Sequence, residues 1–199
     1  MAAYRTYDPD LVAPFLRVRD RYGPFSNMAS GYQIRVCGVE TGSSEALYQA
    51  LRFPHLPEFQ AEVLSQASPI LAKRHAYTRV ADTRPDWDRV RVNVMRYVLR
   101  AKFGSAQGAL LELLRGTGEA PIVEVSHRDD YWGARPVDGR LIGRNVLGRL
   151  LMELRAELDE HPSGSPLLIA PRFPDPILLG RPLTPDRVGP APSADLFPE

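Results

Sequence analysis

Apolar residues along this 199-residue chain recur in two rhythms, separated by clusters of turn residues. Leu147, Leu150, Leu151, Leu154 and Leu158 return at intervals of three and four, which gives a helix one apolar face. Trp87, Val90, Val94, Val98 and Ala101 follow the same rule. They predict a helix over 86–103, with Asp86 as N-cap after Arg84-Pro85 and a basic opposite face. Shorter helices are predicted over 58–64, over 69–76 with Pro69 in its first turn, and over 109–114, closed by Gly116. Ser43-Ser44 opens one more, with Glu45 in its first turn. Alternating, β-branched runs at 33–37, 121–125 and 15–18 predict strands. Helices dominate and do not alternate regularly with strands. The expectation is therefore an α+β fold, a predominantly helical single domain with a small β-sheet, and not a doubly wound sheet or a β-sandwich.

The pattern breaks after Glu160. Residues 161–199 hold ten of the nineteen prolines, which excludes a continuous helix or a central strand. The chain divides into a domain at 1–160 and a proline-rich C-terminal extension at 161–199. Leu167–Ala170 and Pro176–Leu179 are apolar enough to clamp onto the domain as extended segments, and the run after Thr184 reads as a flexible tail.

Charge and cysteine content narrow the function classes. A formal net charge of +1, with 44% hydrophobic and 25% charged residues, suits one domain with a real core and lacks the basic field of a sequence-independent nucleic-acid binder. Arginines between Arg89 and Lys102 leave room for a local basic groove, and small anions are at least as good a ligand. One cysteine, Cys37, excludes an internal disulfide and a cysteine zinc cluster. His55, His75, His127 and His161 lack metal-ligand spacing, so no metal is expected. The amino terminus has no apolar signal core, and no run reaches the roughly 18 apolar residues of a membrane span. These features fit a cytoplasmic protein.

Two stretches concentrate chemistry. Tyr48, Gln49 and Arg52 lie at i+3, i+4 and i+7 from Glu45, which stacks polar and aromatic side chains on one helical face. The competing reading is an acidic residue that merely completes a helix terminus. Downstream, Asp129 and Asp130 precede Tyr131-Trp132-Gly133 on a loop after a predicted strand, where catalytic groups often sit. Here the alternative is an Asx-turn, and Trp132 is either core or a stacking platform. Gly139, Gly143 and Gly148 approach a helix start, a generic phosphate cue. Asn145 is either a ligand contact or that helix's N-cap.

Taken together, Phe25-Ser26-Asn27, Ser44-Glu45-x-x-Tyr48-Gln49, Trp87-x-x-x-Arg91-x-x-x-Met95, Leu99-x-x-Lys102-Phe103, Ser126-x-x-Asp129-x-x-Trp132-Gly133 and Gly143-x-Asn145-x-Leu147-Gly148 resemble the NADAR family, also called YbiA-like, from about Phe15 to Leu158. The resemblance implies an α+β N-glycosidase, without a cofactor, that hydrolyses the bond between a phosphorylated ribose and a base or amine. Its implied substrates are phosphoribosylamino-pyrimidine intermediates of riboflavin biosynthesis or ADP-ribosyl-guanine. By position it implies Glu45, Asp129 and Trp132 as catalytic residues. It also implies substrate contacts from Phe25, Ser26, Asn27, Tyr48, Gln49, Arg52, Arg91, Lys102, Tyr131, Gly133 and Asn145, with phosphate falling to Arg52, Arg91, Lys102 or Arg140. Thr41-Gly42 and the longer loop before Asn145 depart from the family pattern beside the expected pocket, where loop residues set what fits. The rival expectation is a non-catalytic module that binds ADP-ribose or a nucleotide. Two carboxylates argue against it, because they gain nothing in binding a polyanion.

Overall fold

The structure, a computed structural model, describes residues 3–106, 108–160 and 167–188. In chain order the elements are β1 (Arg5–Tyr7), β2 (Ala13–Phe15), β3 (Ile34–Val36), β4 (Val39–Thr41), α1 (Ser44–Ala50), α2 (Pro57–Leu64), α3 (Pro69–Tyr77), α4 (Trp87–Ser105) and α5 (Ala109–Arg115). There follow β5 (Ile122–Glu124), β6 (Arg135–Val137), β7 (Arg140–Gly143), α6 (Val146–Asp159), β8 (Leu167–Ile169), β9 (Ile177–Leu178), β10 (Arg181–Pro182) and β11 (Asp186–Val188). The class is α+β, as expected.

The helices form where periodicity places them. All five leucines of α6 are buried, each worth roughly 1.5–3 kcal/mol relative to exposure. They pack beside Val90, Val94 and Val98 of α4 in one core. Asp86 takes the N-cap position of α4, as expected, but its carboxylate makes no cap bond and pairs instead with Arg84 at 2.6 and 3.0 Å. That guanidinium holds Asp86 below the usual carboxylate range. Gly116 closes α5 as its C-cap, as expected, but at a right-handed φ of −64°; the left-handed turn comes at Gly118. The basic face of α4 is not an open groove. Arg96 pairs with Glu153 at 2.7 Å, Arg100 pairs with Glu153 and Glu157 across α6, and Lys102 is wholly buried.

The strands are more numerous and shorter than their alternation predicts, and they fall into several small sheets. β1, β7 and β6 form a three-stranded antiparallel sheet, β2 pairs with β5 in parallel, and β3 with β4, β8 with β11 and β9 with β10 form antiparallel pairs. The stretch expected as a glycine-bearing loop near residue 139 is the hairpin β6–β7. Asp138-Gly139 turns it with φ of 47° and 74°, the left-handed pair that a two-residue hairpin requires. The 15–18 strand ends at Phe15, since Leu16 and Arg17 turn to donate their amides to Asp20 Oδ2 at 3.1 and 2.7 Å.

The described part of the proline-rich segment packs onto the same core through Leu167, Ile169, Phe173, Leu178 and Leu183. β11 carries an ordered strand past Thr184, where a flexible run was expected. No helix among the described residues is long and apolar enough to cross a membrane.

Candidate active site

One wall of the site is α1. Ser43 is extended (φ −159°) and accepts a hydrogen bond from Ala46 N at 3.1 Å, a cap that leaves Glu45 in the first turn. Every residue of α1 is buried, so its polar side chains must find partners. Glu45 Oε2 accepts from Asn27 Nδ2 at 2.6 Å and Oε1 from Gln49 Nε2 at 2.7 Å. Gln49 Oε1 in turn accepts from Arg52 Nη1 at 3.1 Å, and Arg52 Nη2 reaches Thr83 Oγ1 at 3.2 Å. The helical spacing thus becomes a continuous polar chain. Asn27 Oδ1 is buried with no partner among the described residues, an acceptor beside the carboxylate. Tyr48 packs edge-on to Trp132 at 5.9 Å and against Trp87 at 5.0 Å. Burial, reinforced by the Glu45 charge, pushes its hydroxyl well above the usual tyrosine range, so it remains a neutral phenol.

The facing wall begins where β5 ends. Glu124 N donates to Asn145 Oδ1 at 3.1 Å, and Ala134 N donates to Glu124 O at 2.8 Å. These bonds fix the Glu124 backbone from two sides. Burial first, then the Asp129 and Glu45 charges, push its carboxyl up to about 7, with Lys73 opposing. Glu124 therefore holds or releases a proton near neutral pH. Asp129 Oδ1 accepts from Tyr131 N and Trp132 N, both at 2.9 Å. That is the Asx-turn reading, and it holds together with a place on the cavity: the turn presents Tyr131 and Trp132 to it. The Arg91 guanidinium lies 4.1 Å from the Tyr131 ring centre, and that of Arg52 lies 5.2 Å from Trp87 and 5.1 Å from Tyr77. Between the walls is a cavity of about 600 Å³, within the range of about 300–1,000 Å³ typical of small-molecule sites.

Nine of the residues singled out from sequence line this cavity: Asn27, Glu45, Tyr48, Gln49, Arg52, Arg91, Asp129, Tyr131 and Trp132. Five do not. Phe25 is fully buried against Phe15, Tyr22 and Phe103. Ser26 Oγ accepts from Met28 N at 3.1 Å and shapes the turn that leads away from Asn27. Lys102, wholly buried, donates to Pro24 O at 2.6 Å and Ser26 O at 2.8 Å. It clamps the segment before Asn27, although burial pulls its ammonium down to about 7. Gly133 is there because a Cβ would stand 2.4 Å from Glu124 O. Asn145 occupies the N-cap position of α6, left-handed at φ 48°, but its side chain makes no cap bond; it donates to Ile122 O at 2.8 Å and joins α6 to β5.

Of the remaining phosphate candidates, Arg140 is on the surface, paired with Asp8. The glycine approach is no phosphate loop either. Gly139 turns the hairpin, and Gly143 and Gly148 allow contacts in which a Cβ would meet Gly133 O at 2.4 Å and Ile122 O at 2.1 Å.

Sequence reasoning missed Glu124, Lys73, Tyr77 and the exposure of Trp87 to the cavity. Glu124 was hidden as the last residue of an alternating strand, and Lys73 as one cation on an ordinary helix surface. Among the described residues, no group of three or more His, Cys, Asp or Glu side chains is arranged to hold a metal ion.

The profile of the NADAR domain matches residues 14–159. The chain belongs to the NADAR family. Both walls of the cavity lie inside the NADAR match, while β8 to β11 lie after it. This NADAR protein is 38% identical to the N-glycosidase YbiA of Escherichia coli (strain K12) over 149 residues, 75% of this chain and 89% of that protein. It is 40% identical over 128 residues to a riboflavin biosynthesis protein of Vibrio vulnificus (strain YJ016), covering 64% of this chain and 34% of that protein. The NMR structure of E. coli YbiA superposes with a TM-score of 0.66, covering 76% of this chain and 86% of that one.

Proposed function

We propose that this NADAR protein is an N-glycosidase that hydrolyses the bond between a phosphorylated ribose and a nitrogenous base or amine. One observation carries the reading: Glu45, Glu124 and Asp129 line one cavity together with edge-packed aromatics and two arginines. Cleaving an N-glycosidic bond builds positive charge on the ribose and needs a proton for the departing nitrogen. Glu124, pushed up to about 7, is the carboxyl suited to donate that proton at neutral pH. Glu45, with both oxygens held by amides, is oriented to support the charged sugar or direct water. Asp129 holds the loop that aims Trp132 and adds negative charge beside the ribose. Trp132 stacks on the base, and Arg52 and Arg91 take the phosphate through charge-assisted bonds.

Among substrates we favour phosphoribosylamino-pyrimidine intermediates, because a relative of this chain is named a riboflavin biosynthesis protein. The second reading, ADP-ribose on guanine, draws support from the cavity of about 600 Å³, which is roomy for a single nucleotide.

The deciding assay incubates the protein with a phosphoribosylamino-pyrimidinone and, separately, an ADP-ribosylated guanine oligonucleotide. Release of ribose phosphate or ADP-ribose is followed by mass spectrometry, with Glu45→Gln as control. Turnover of the first alone supports clearance of flavin intermediates, and turnover of the second alone supports de-ADP-ribosylation. Cleavage of neither by folded protein returns the case to a binding module.

A further inference from the structure

Two buried polar side chains tie the segment after the NADAR match to one end of the cavity. Gln60 on α2 is fully buried and its amide is saturated: Nε2 donates to Ala50 O at 3.1 Å and to Ile177 O at 3.0 Å, while Oε1 accepts from Leu179 N at 2.6 Å. Arg84, 4% exposed, binds Asp86, donates to Pro174 O at 2.8 Å and to Asp175 O at 3.4 Å, and its own amide donates to Arg52 O at 2.9 Å. Around these ties, Leu178 and Leu183 are buried and Phe173 meets Tyr97 edge-on at 6.0 Å.

The ties converge. Ala50 precedes Arg52 by two residues and Arg84 precedes Trp87 by three, and Arg52 and Trp87 face each other on the cavity. Among the described residues, no hydrogen bond from 167–188 reaches Glu45, Glu124 or Asp129. Simple attachment does not require a buried guanidinium and carboxamide, since apolar contacts hold a segment without desolvating either. What such bonds add is direction, because each fixes a carbonyl to within a few tenths of an ångström.

We propose that residues 173–183 form a brace that positions Arg52 and Trp87, with Arg84 and Gln60 as its positioning residues. Ligand affinity depends on the brace, and the chemical step at the carboxylates does not. The kinetic arm of the test rests on the N-glycosidase reading; a second arm is independent of it. Tryptophan occurs only at 87 and 132, so in a Trp132→Phe background the emission of Trp87 and its quenching by iodide report the braced wall without any ligand.

Arg84→Met and Gln60→Leu in the full chain are expected to raise KM about tenfold, the worth of one charge-assisted bond, with kcat changed by less than about threefold. Trp87 is expected to become more accessible to iodide. Leu110→Ala, in the α5 core, serves as a destabilised control with lower Tm and unchanged KM and quenching. If Arg84→Met does not fold, Arg84→Lys, which keeps the charge and loses the planar fork, carries the same readouts. The brace is overturned if the Arg84 and Gln60 variants behave as Leu110→Ala does, with Tm lowered and both KM and Trp87 quenching unmoved. If neither substrate is turned over, the N-glycosidase reading fails on that ground and the quenching alone decides the brace.

Discussion

The two walls of the cavity are built by opposite means. The α1 wall is local: seven consecutive residues bring Glu45, Tyr48 and Gln49 to one face, and Arg52 follows one turn on. Hydrogen bonds join Glu45, Gln49 and Arg52 along the helix. The β5 wall is assembled at long range, since Glu124 is held by Asn145 at the start of α6 and by the Ala134 amide, and Asp129 spends one oxygen on the turn that presents Trp132. The helix fixes a carboxylate in place. The strand and loop set a carboxylate's protonation and aim an aromatic.

The sharpest way to break this comparison is Glu45→Gln, which preserves shape and removes charge. Turnover should fall about 10³-fold, within the usual range for a positioned acid or base, while ligand binding measured by calorimetry persists. Unchanged turnover would remove Glu45 from the mechanism. Glu124→Gln should cost about 10²-fold and also change the pH profile. In the native protein, kcat should fall as pH rises through about 7, because the proton donor is lost, and in the variant that alkaline limb should vanish. Retention of the limb would assign it to another group.

Asp129 sharpens the contrast between charge and scaffold. Asp129→Asn keeps an acceptor for the Tyr131 and Trp132 amides, whereas Asp129→Ala leaves both without a partner. The alanine variant should lose about 1–2 kcal/mol of stability and raise KM, and the asparagine variant should stay near native in Tm. Trp132→Ala should raise KM about tenfold, the scale of one lost base stack, with Trp132→Phe recovering part of it.

A further effect is on stability against pH. Glu124 has a folded pKa of about 7 against an ordinary 4.5. The sign follows: its contribution is fully present below 4.5 and is lost as pH rises to about 7. Chemical denaturation of Glu124→Gln should show less loss over that window than the native chain. Equal loss in both would assign it elsewhere.

The same contrast explains what could be read from the sequence. The α1 face was legible because i, i+3, i+4 and i+7 spacing is a property of neighbours in the chain. Asp129, Tyr131 and Trp132 were legible as an unusual cluster, and α4 and α6 as clean periodicities. Glu124 was not, since its placement depends on Asn145, more than twenty positions away, and on the glycine that packs over its carbonyl. Lys102 and Asn145 misled in the other direction. A polar residue inside a motif invites a ligand role, yet both serve buried backbone. The Asp138-Gly139 dipeptide is itself a hairpin signal, but strands of three and four residues give too little alternation to frame it.

The parallel pairing of β2 with β5 has a temporal side. Ala13 meets Ile122 and Phe15 meets Glu124, so a strand from the start of the chain waits for a partner about a hundred residues later. Closing so long a loop is slow relative to forming local helices. During synthesis, α1 emerges with its polar chain well before the strand that carries Glu124. The nascent protein thus passes through a stage with half of the cavity and the apolar face of α4 still uncovered by α6, a stage suited to engagement by a chaperone.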